Sequence, residues 1–399
     1  MLASLAFVFL FGLAAAALCQ RLGLPRIIGM LLTGILLGPC ALDLLDGSLL
    51  SVSAELRQIA LIIILLKAGL SLDLADLRRV GRPAVLMSCV PASCELLAFV
   101  LFAPPLLGVT RVEAAVMGSV LAAVSPAVVV PRMVQLMETK YGTDKSIPQL
   151  ILAGASCDDI FVIVLFSTFT GMAQGGGVRA ADFLAIPLSI VLGAALGAAA
   201  GRLLACFFEA ACARARCVRN SMKVILVLGV SFLLMAVEEW LKGIVPLSGL
   251  LAVVSMACLL KRGSTAFVSR RLSEKLGKLW LAAEVLLFVL VGAAVDIRYT
   301  LAAGLPALAV LLLALVFRSI GVALCLLGTA LNKRERLFCM IAYLPKATVQ
   351  AAIGSVPLAM GLACGQLVLS VAVLGILVTA PLGAIGIDRS YKRLLRHGE

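Results

Sequence analysis

Apolar runs of about twenty residues succeed one another along almost the whole chain with only short loops between them, and this restricts the fold to a bundle of helices crossing a membrane. Lipid offers no partner for backbone N–H and C=O groups, so each run must satisfy them internally as a helix. Counting on that basis gives thirteen spans, at 2–19, 27–45, 56–74, 84–107, 113–135, 148–171, 183–208, 221–240, 244–260, 279–297, 301–331, 336–361 and 366–387. With 62% of its 399 residues hydrophobic and 14% charged, the chain lies far outside the range of a soluble domain. The first run lacks a basic n-region and a clear cleavage site, so it reads as a retained helix. An all-α polytopic membrane protein is expected.

The net charge of +13 would suggest a nucleic-acid partner in a soluble protein, but here the basic residues collect in alternate loops. Most of the 34 Lys and Arg fall on one side, whereas the opposite loops hold Arg111, Arg179, Lys242 and Arg298. The positive-inside rule then places the N-terminus outside and the C-terminus in the cytoplasm. No nucleic acid is expected as a partner. The twelve cysteines are scattered through apolar runs without a C-x-x-C pair, which supports neither zinc nor a disulfide framework. The only histidine is His397, in the basic tail, so proton chemistry within the bundle must rest on carboxylates.

Two such carboxylates, Asp158 and Asp159, stand side by side in the apolar run LILAGASCDDIFVIVLF. An ionisable group near a bilayer centre costs roughly 2.5 to 3.5 kcal/mol even on lenient insertion scales, so two in succession require a cavity, a cation or a proton. Adjacent helical residues point about 100° apart. One carboxylate is therefore expected to meet a fixed countercharge and the other to face water.

The two halves of the chain match at an offset of 223 residues. Gly69-x-x-x-Asp73 falls on Gly292-x-x-x-Asp296, Pro83 on Pro306, and Glu95 on Arg318. The Gly-x-x-x-Asp motif ends one helix on the inside and the other on the outside, which predicts inverted repeats. Pro126, in SPAVVVP, and Pro345, in LPKATVQAAIG, occupy nearly matching places mid-span, where proline frees backbone groups and two broken helices can cross beside a midplane site. A pseudo-twofold would bring Glu95 and Arg318 together as an ion pair between the fourth and eleventh spans. Lys346, next to Pro345, is expected to reach Asp158 and to leave Asp159 as the exposed ligand.

Together GASCDDI, AVSPAVVVP and LPKATVQAAIG resemble the monovalent cation:proton antiporter superfamily, most closely its sodium/proton exchanger subgroup with an Asp-Asp site. The resemblance covers nearly the whole chain. It implies a homodimer in which a core domain moves like an elevator against a scaffold, with Asp159 as ion ligand and proton carrier and Asp158 as its partner acid. On that basis 1–75 and 221–297 form the scaffold, 84–171 and 301–387 the core, 183–208 a linker helix and 388–399 a cytoplasmic tail. Electrogenic members carry a lysine where this chain has Arg318. Arginine does not release its proton, so the resemblance implies one-for-one exchange.

Mechanistically, Asp159 would hold either a proton or a dehydrated Na⁺ or Li⁺, with Asp158 as the second metal ligand. Ser125, Ser156 or backbone carbonyls freed at the breaks would complete the shell, and Lys346 and Thr348 would support it. Two neighbouring carboxylates disfavour double ionisation, and their titration belongs to the pair. No cofactor and no enzymatic activity are expected; the partners are small monovalent cations, protons and membrane lipid. The alternatives are a potassium/proton antiporter or efflux system of the same superfamily and, in a different class, an intramembrane aspartyl protease. The latter needs its aspartates on separate, facing helices. The absence of long tails suggests a bacterial inner membrane.

Overall fold

The structure is a computed structural model that describes residues 1–71, 81–174, 180–213, 218–241, 245 and 247–398. Asp73 of the first Gly-x-x-x-Asp motif lies outside them. The described residues are overwhelmingly helical, and among them seven helices are long and apolar enough to cross a membrane: Leu2–Arg21, Arg82–Leu107, Val191–Ala211, Asn220–Trp240, Phe267–Ala293, Gly304–Cys325 and Gly365–Leu394.

Several helix boundaries depart from the apolar runs for local reasons. The second helix, Arg26–Leu37, stops well before residue 45 because Gly38 precedes Pro39, and the residue before a proline avoids the helical region. The Ala266–Ala293 helix begins thirteen residues before the run at 279, since its first turns are amphipathic and carry Arg270, Arg271 and Glu274. Arg270 and Arg271 both pair with Glu274 one turn on, at 3.1 and 3.3 Å.

Two expected spans are broken. The first runs Arg111–Leu121, leaves the helix at 122–125, and resumes as Pro126–Glu138. Pro126 sits at the first helical position, where its missing N–H costs nothing. The second runs Lys333–Ala342, is interrupted around Pro345, and resumes as Thr348–Gly354. The first half of each span starts with a capping box, Thr110 with Glu113 and Asn332 with Glu335. The breaks touch, because Ser125 N–H donates to the Pro345 carbonyl at 2.8 Å.

The chain forms two compact units, one of Met1–Ala54, Asp73–Gln174 and Val285–Glu399, the other of Glu55–Leu72 and Gly175–Glu284. In the first, Met87, Met133, Ile151, Val322, Phe338 and Tyr343 belong to a buried core between the aspartate helix, Ile147–Gln174, and the two broken spans. The final residues fold back on this unit: Gly142 N–H donates to Arg396 O at 2.8 Å and Gly398 N–H to Lys140 O at 2.7 Å. Tyr141 is thereby held between the rings of Tyr391 and His397, with centroids 5.0 and 4.9 Å away. In the second unit Gly193, Gly197 and Gly201, spaced four apart on the Ala180–Ala213 helix, meet the carbonyls of Ser248, Ala252 and Met256. A Cβ at any of the three would collide with that backbone.

Gly154, one turn before Asp158, makes a similar demand beside the site: a Cβ there would overlap the Tyr343 hydroxyl. Tyr343 is fully buried and its hydroxyl has no hydrogen-bond partner, so nothing but packing opposes Phe at that position. Gly154→Ala is expected to cost about 1–3 kcal/mol of overpacking, read as a lower Tm in detergent. Adding Tyr343→Phe should recover most of it, and two additive losses would show that the two residues do not compete for this space.

Candidate functional site: a buried charge network at two helix breaks

Glu95, Asp158, Arg318 and Lys346 are all fully buried, and one contiguous network joins Glu95, Arg318, Asp158 and Lys346. Arg318 is its hub. Its guanidinium fork pairs with Glu95 at 2.8 Å and with Asp158 Oδ2 at 3.1 Å, and its Nε donates to the Tyr343 carbonyl at 2.6 Å. A further donation goes to the Ala122 carbonyl. Four acceptors around one planar donor set suit arginine and would not suit lysine.

Asp158 thus meets a fixed countercharge, but not the expected one. Lys346 does not pair with Asp158; its ammonium lies 2.7 Å from Glu95 and also donates to the Leu121 carbonyl. The reason is the contact between the breaks, which brings Lys346 to the Leu121 carbonyl and Glu95 while Arg318 takes the place beside Asp158. Asp158 Oδ2 also accepts from Val124 N–H at 2.8 Å, which fastens the aspartate helix to the first break. Asp159, 7% exposed, has one oxygen with no hydrogen-bond partner, and so does Asp158 through Oδ1. Ser125 is fully buried and its hydroxyl is likewise unpartnered. Asp159 and Ser125 each stand one residue from the bond between Asp158 and Val124.

Three of the backbone carbonyls at the first break each accept a side-chain hydrogen bond. Leu121 accepts from Lys346, Ala122 from Arg318, and Ala123 from Gln350 Nε2 at 2.8 Å. Cationic and amide side chains reach these oxygens because the break presents them towards the second half of the chain. Of the remaining expected residues, Thr348 is buried at the start of the second half of the second broken span. The side chain of Ser156 lies outside the described residues. Pro126 and Pro345 mark the breaks themselves.

Three residues of the network were not singled out from the sequence. Gln350 and Thr379 are buried polar residues in apolar helices, itself a signal, and Thr379 Oγ accepts from Lys346 N–H at 2.9 Å. Tyr343 contributes a carbonyl and a ring 5.5 Å from the Arg318 guanidinium, which nothing in its sequence context marks.

Touching helix breaks around a buried charge cluster mark a polytopic helical protein with ionisable groups held inside its apolar bundle. Residues 5–389 match the family model described as "Sodium/hydrogen exchanger, transmembrane", and the chain belongs to the sodium/hydrogen exchanger family. It is 36% identical over 388 residues to sodium/hydrogen exchanger 9B2 of Homo sapiens, covering 94% of this chain and 71% of that protein. Against sodium/hydrogen exchanger 9B1 of Mus musculus it is 31% identical over 403 residues, covering 94% and 67%. The fold is that of the sodium proton antiporter MjNhaP1 from Methanocaldococcus jannaschii at pH 8, with a TM-score of 0.83 at 21% identity over 100% of this chain and 99% of the other. Family and fold make this an integral multi-pass membrane protein; the relatives compared are animal proteins and lend no support to a bacterial inner membrane.

Proposed function

We propose that the protein exchanges Na⁺, and Li⁺ in its place, for protons, with Asp159 taking either ion in turn. The observation that carries this reading is the asymmetry of the acid pair. Asp158 is tied to Arg318 and Val124, while Asp159 keeps an unpartnered oxygen, as does the buried Ser125 hydroxyl. A carboxylate left without a proton partner in an apolar helix is unstable until a cation or proton neutralises it. Competition between those two for one carboxylate is the coupling. Asp158, Ser125, Ser156 and Thr348 support the cation with hard oxygens, which suit small alkali ions.

The remainder of the reading concerns architecture. Thirteen spans in two inverted repeats form a core and a scaffold, and the core moves by an elevator step within a homodimer, with the N-terminus outside and the C-terminus cytoplasmic. The meeting of Glu95 with Arg318, which occupy equivalent repeat positions, supports the inverted arrangement. Exchange is one-for-one, because the charge that holds Asp158 is an arginine that keeps its proton through the cycle.

Purified protein in proteoliposomes with an imposed ΔpH is expected to dissipate the gradient on addition of Na⁺ or Li⁺ and not of K⁺. Dissipation by K⁺ alone would favour the potassium antiporter. Under a membrane-potential clamp the Na⁺-driven rate should not change with the imposed potential, and a rate that follows the potential would rule out one-for-one exchange.

A further inference from the structure

Gln350 is fully buried and stands at the third position of the Thr348–Gly354 helix, and the exchange reading gives it no task. Its Oε1 accepts from Ala347 N–H at 2.8 Å, which is the acceptor half of a capping box at the helix start. A glutamate would serve there equally well as an acceptor. An amide differs in carrying two donors as well, and Gln350 Nε2 uses them on the first break, at 2.8 Å from the Ala123 carbonyl and 3.5 Å from that of Leu121. One neutral side chain therefore ties the start of one broken helix to the open backbone of the other, without adding charge to the network.

We infer that Gln350 is a positioning residue that sets cation selectivity: by engaging the Ala123 carbonyl and the Ala347 amide together, it fixes the register of the two breaks and keeps a peptide oxygen out of the cation's shell. This rests on the Na⁺/H⁺ exchange reading. The number and type of oxygens around an ion help decide which ion fits. With Leu121, Ala122 and Ala123 all engaged, the cation meets side-chain oxygens on the segment from Ser125 to Asp159. Loss of the Nε2 donor frees one carbonyl of the first break and loosens its tie to the second, so affinity and discrimination change together.

Full-length wild type, Asp159→Asn, Gln350→Met and Gln350→Glu would be compared in proteoliposomes, with KM for Na⁺ and the K⁺-to-Na⁺ rate ratio read at acidic and alkaline pH. Gln350→Met, of similar volume but without donor or acceptor, should raise the Na⁺ KM about tenfold, the size of effect of one lost hydrogen bond. The K⁺-to-Na⁺ ratio should rise and kcat should change little. Gln350→Glu keeps both bonds while its carboxyl is protonated and loses the donor when ionised. Its KM relative to wild type should therefore start near one at acidic pH and climb with pH, which packing alone would not produce. A flat ratio across pH in Gln350→Glu overturns the inference, even if Gln350→Met fails to fold. So does a fall in kcat with KM and ion ratio unmoved. Wild type that exchanges no cation for protons overturns the exchange reading beneath it, whereas active wild type with both variants unaltered overturns this inference alone.

Discussion

Asp159→Asn reduces Na⁺-driven proton movement in proteoliposomes to the rate of protein-free vesicles, while the protein purifies with a Tm equal to or above that of wild type. The two halves of this expected result come from the same geometry. The Asp159 oxygen that lacks a partner is held in the bundle at a desolvation cost, so an uncharged isostere relieves strain on the fold as it removes the exchangeable site. Asp158→Asn differs in kind. That carboxylate answers Arg318 at 3.1 Å and Val124 N–H at 2.8 Å, so its neutralisation should lower the Tm. Asp159→Asn vesicles exchanging as fast as wild type would show that the acid pair is not the coupling site.

Arg318→Met should have the largest effect on stability of any single change in the first unit. It would leave Glu95 with Lys346 alone, Asp158 with no cation, and the carbonyls of Tyr343 and Ala122 without this donor, all in a region closed to water. Removing one partner of a buried ion pair typically costs about 3–5 kcal/mol, and this removal strands several groups at once. The expected outcome is a protein that aggregates on extraction or loses its sharp thermal transition. Arg318→Lys keeps the charge but cannot fork to Glu95 and Asp158 together, so an intermediate Tm is expected. If Arg318→Met unfolds within a degree or two of wild type, the network is not what holds the breaks against the aspartate helix.

Much of this site was legible in the chain, because burying charge in lipid is costly enough that each buried charge announces itself. Asp158, Asp159, Glu95, Arg318 and Lys346 stand out from apolar surroundings, and Pro126 and Pro345 mark where the helices must open. The 223-residue offset between the two halves even set Glu95 opposite Arg318, and the two do pair. What could not be read was which cation serves which anion. Spacing tells which face of a helix a residue occupies, but the partner of Lys346 depends on how two breaks cross, and a shift of one side chain's length exchanges Asp158 for Glu95. Gln350, Thr379 and the Tyr343 carbonyl escaped for a related reason: neutral hydrogen-bonding groups cost less to bury and so leave a weaker trace. The docking of the tail against Tyr141 depends on backbone bonds that no side-chain pattern encodes.

The network at the breaks can also be treated as a single composite ion. With its groups ionised, three carboxylates, Glu95, Asp158 and Asp159, stand against two cations, Arg318 and Lys346, which leaves the cluster one positive charge short of neutral. One proton or one alkali ion closes that deficit, and nothing else of unit charge distinguishes the two loaded forms electrically. A divalent ion would overshoot it. Among the empty, protonated and alkali-loaded forms, the empty cluster alone carries net charge, so it is the one an apolar surrounding most strongly resists moving. Valence selection and the suppression of empty return strokes would then come from the same parity, whatever oxygens the ion touches.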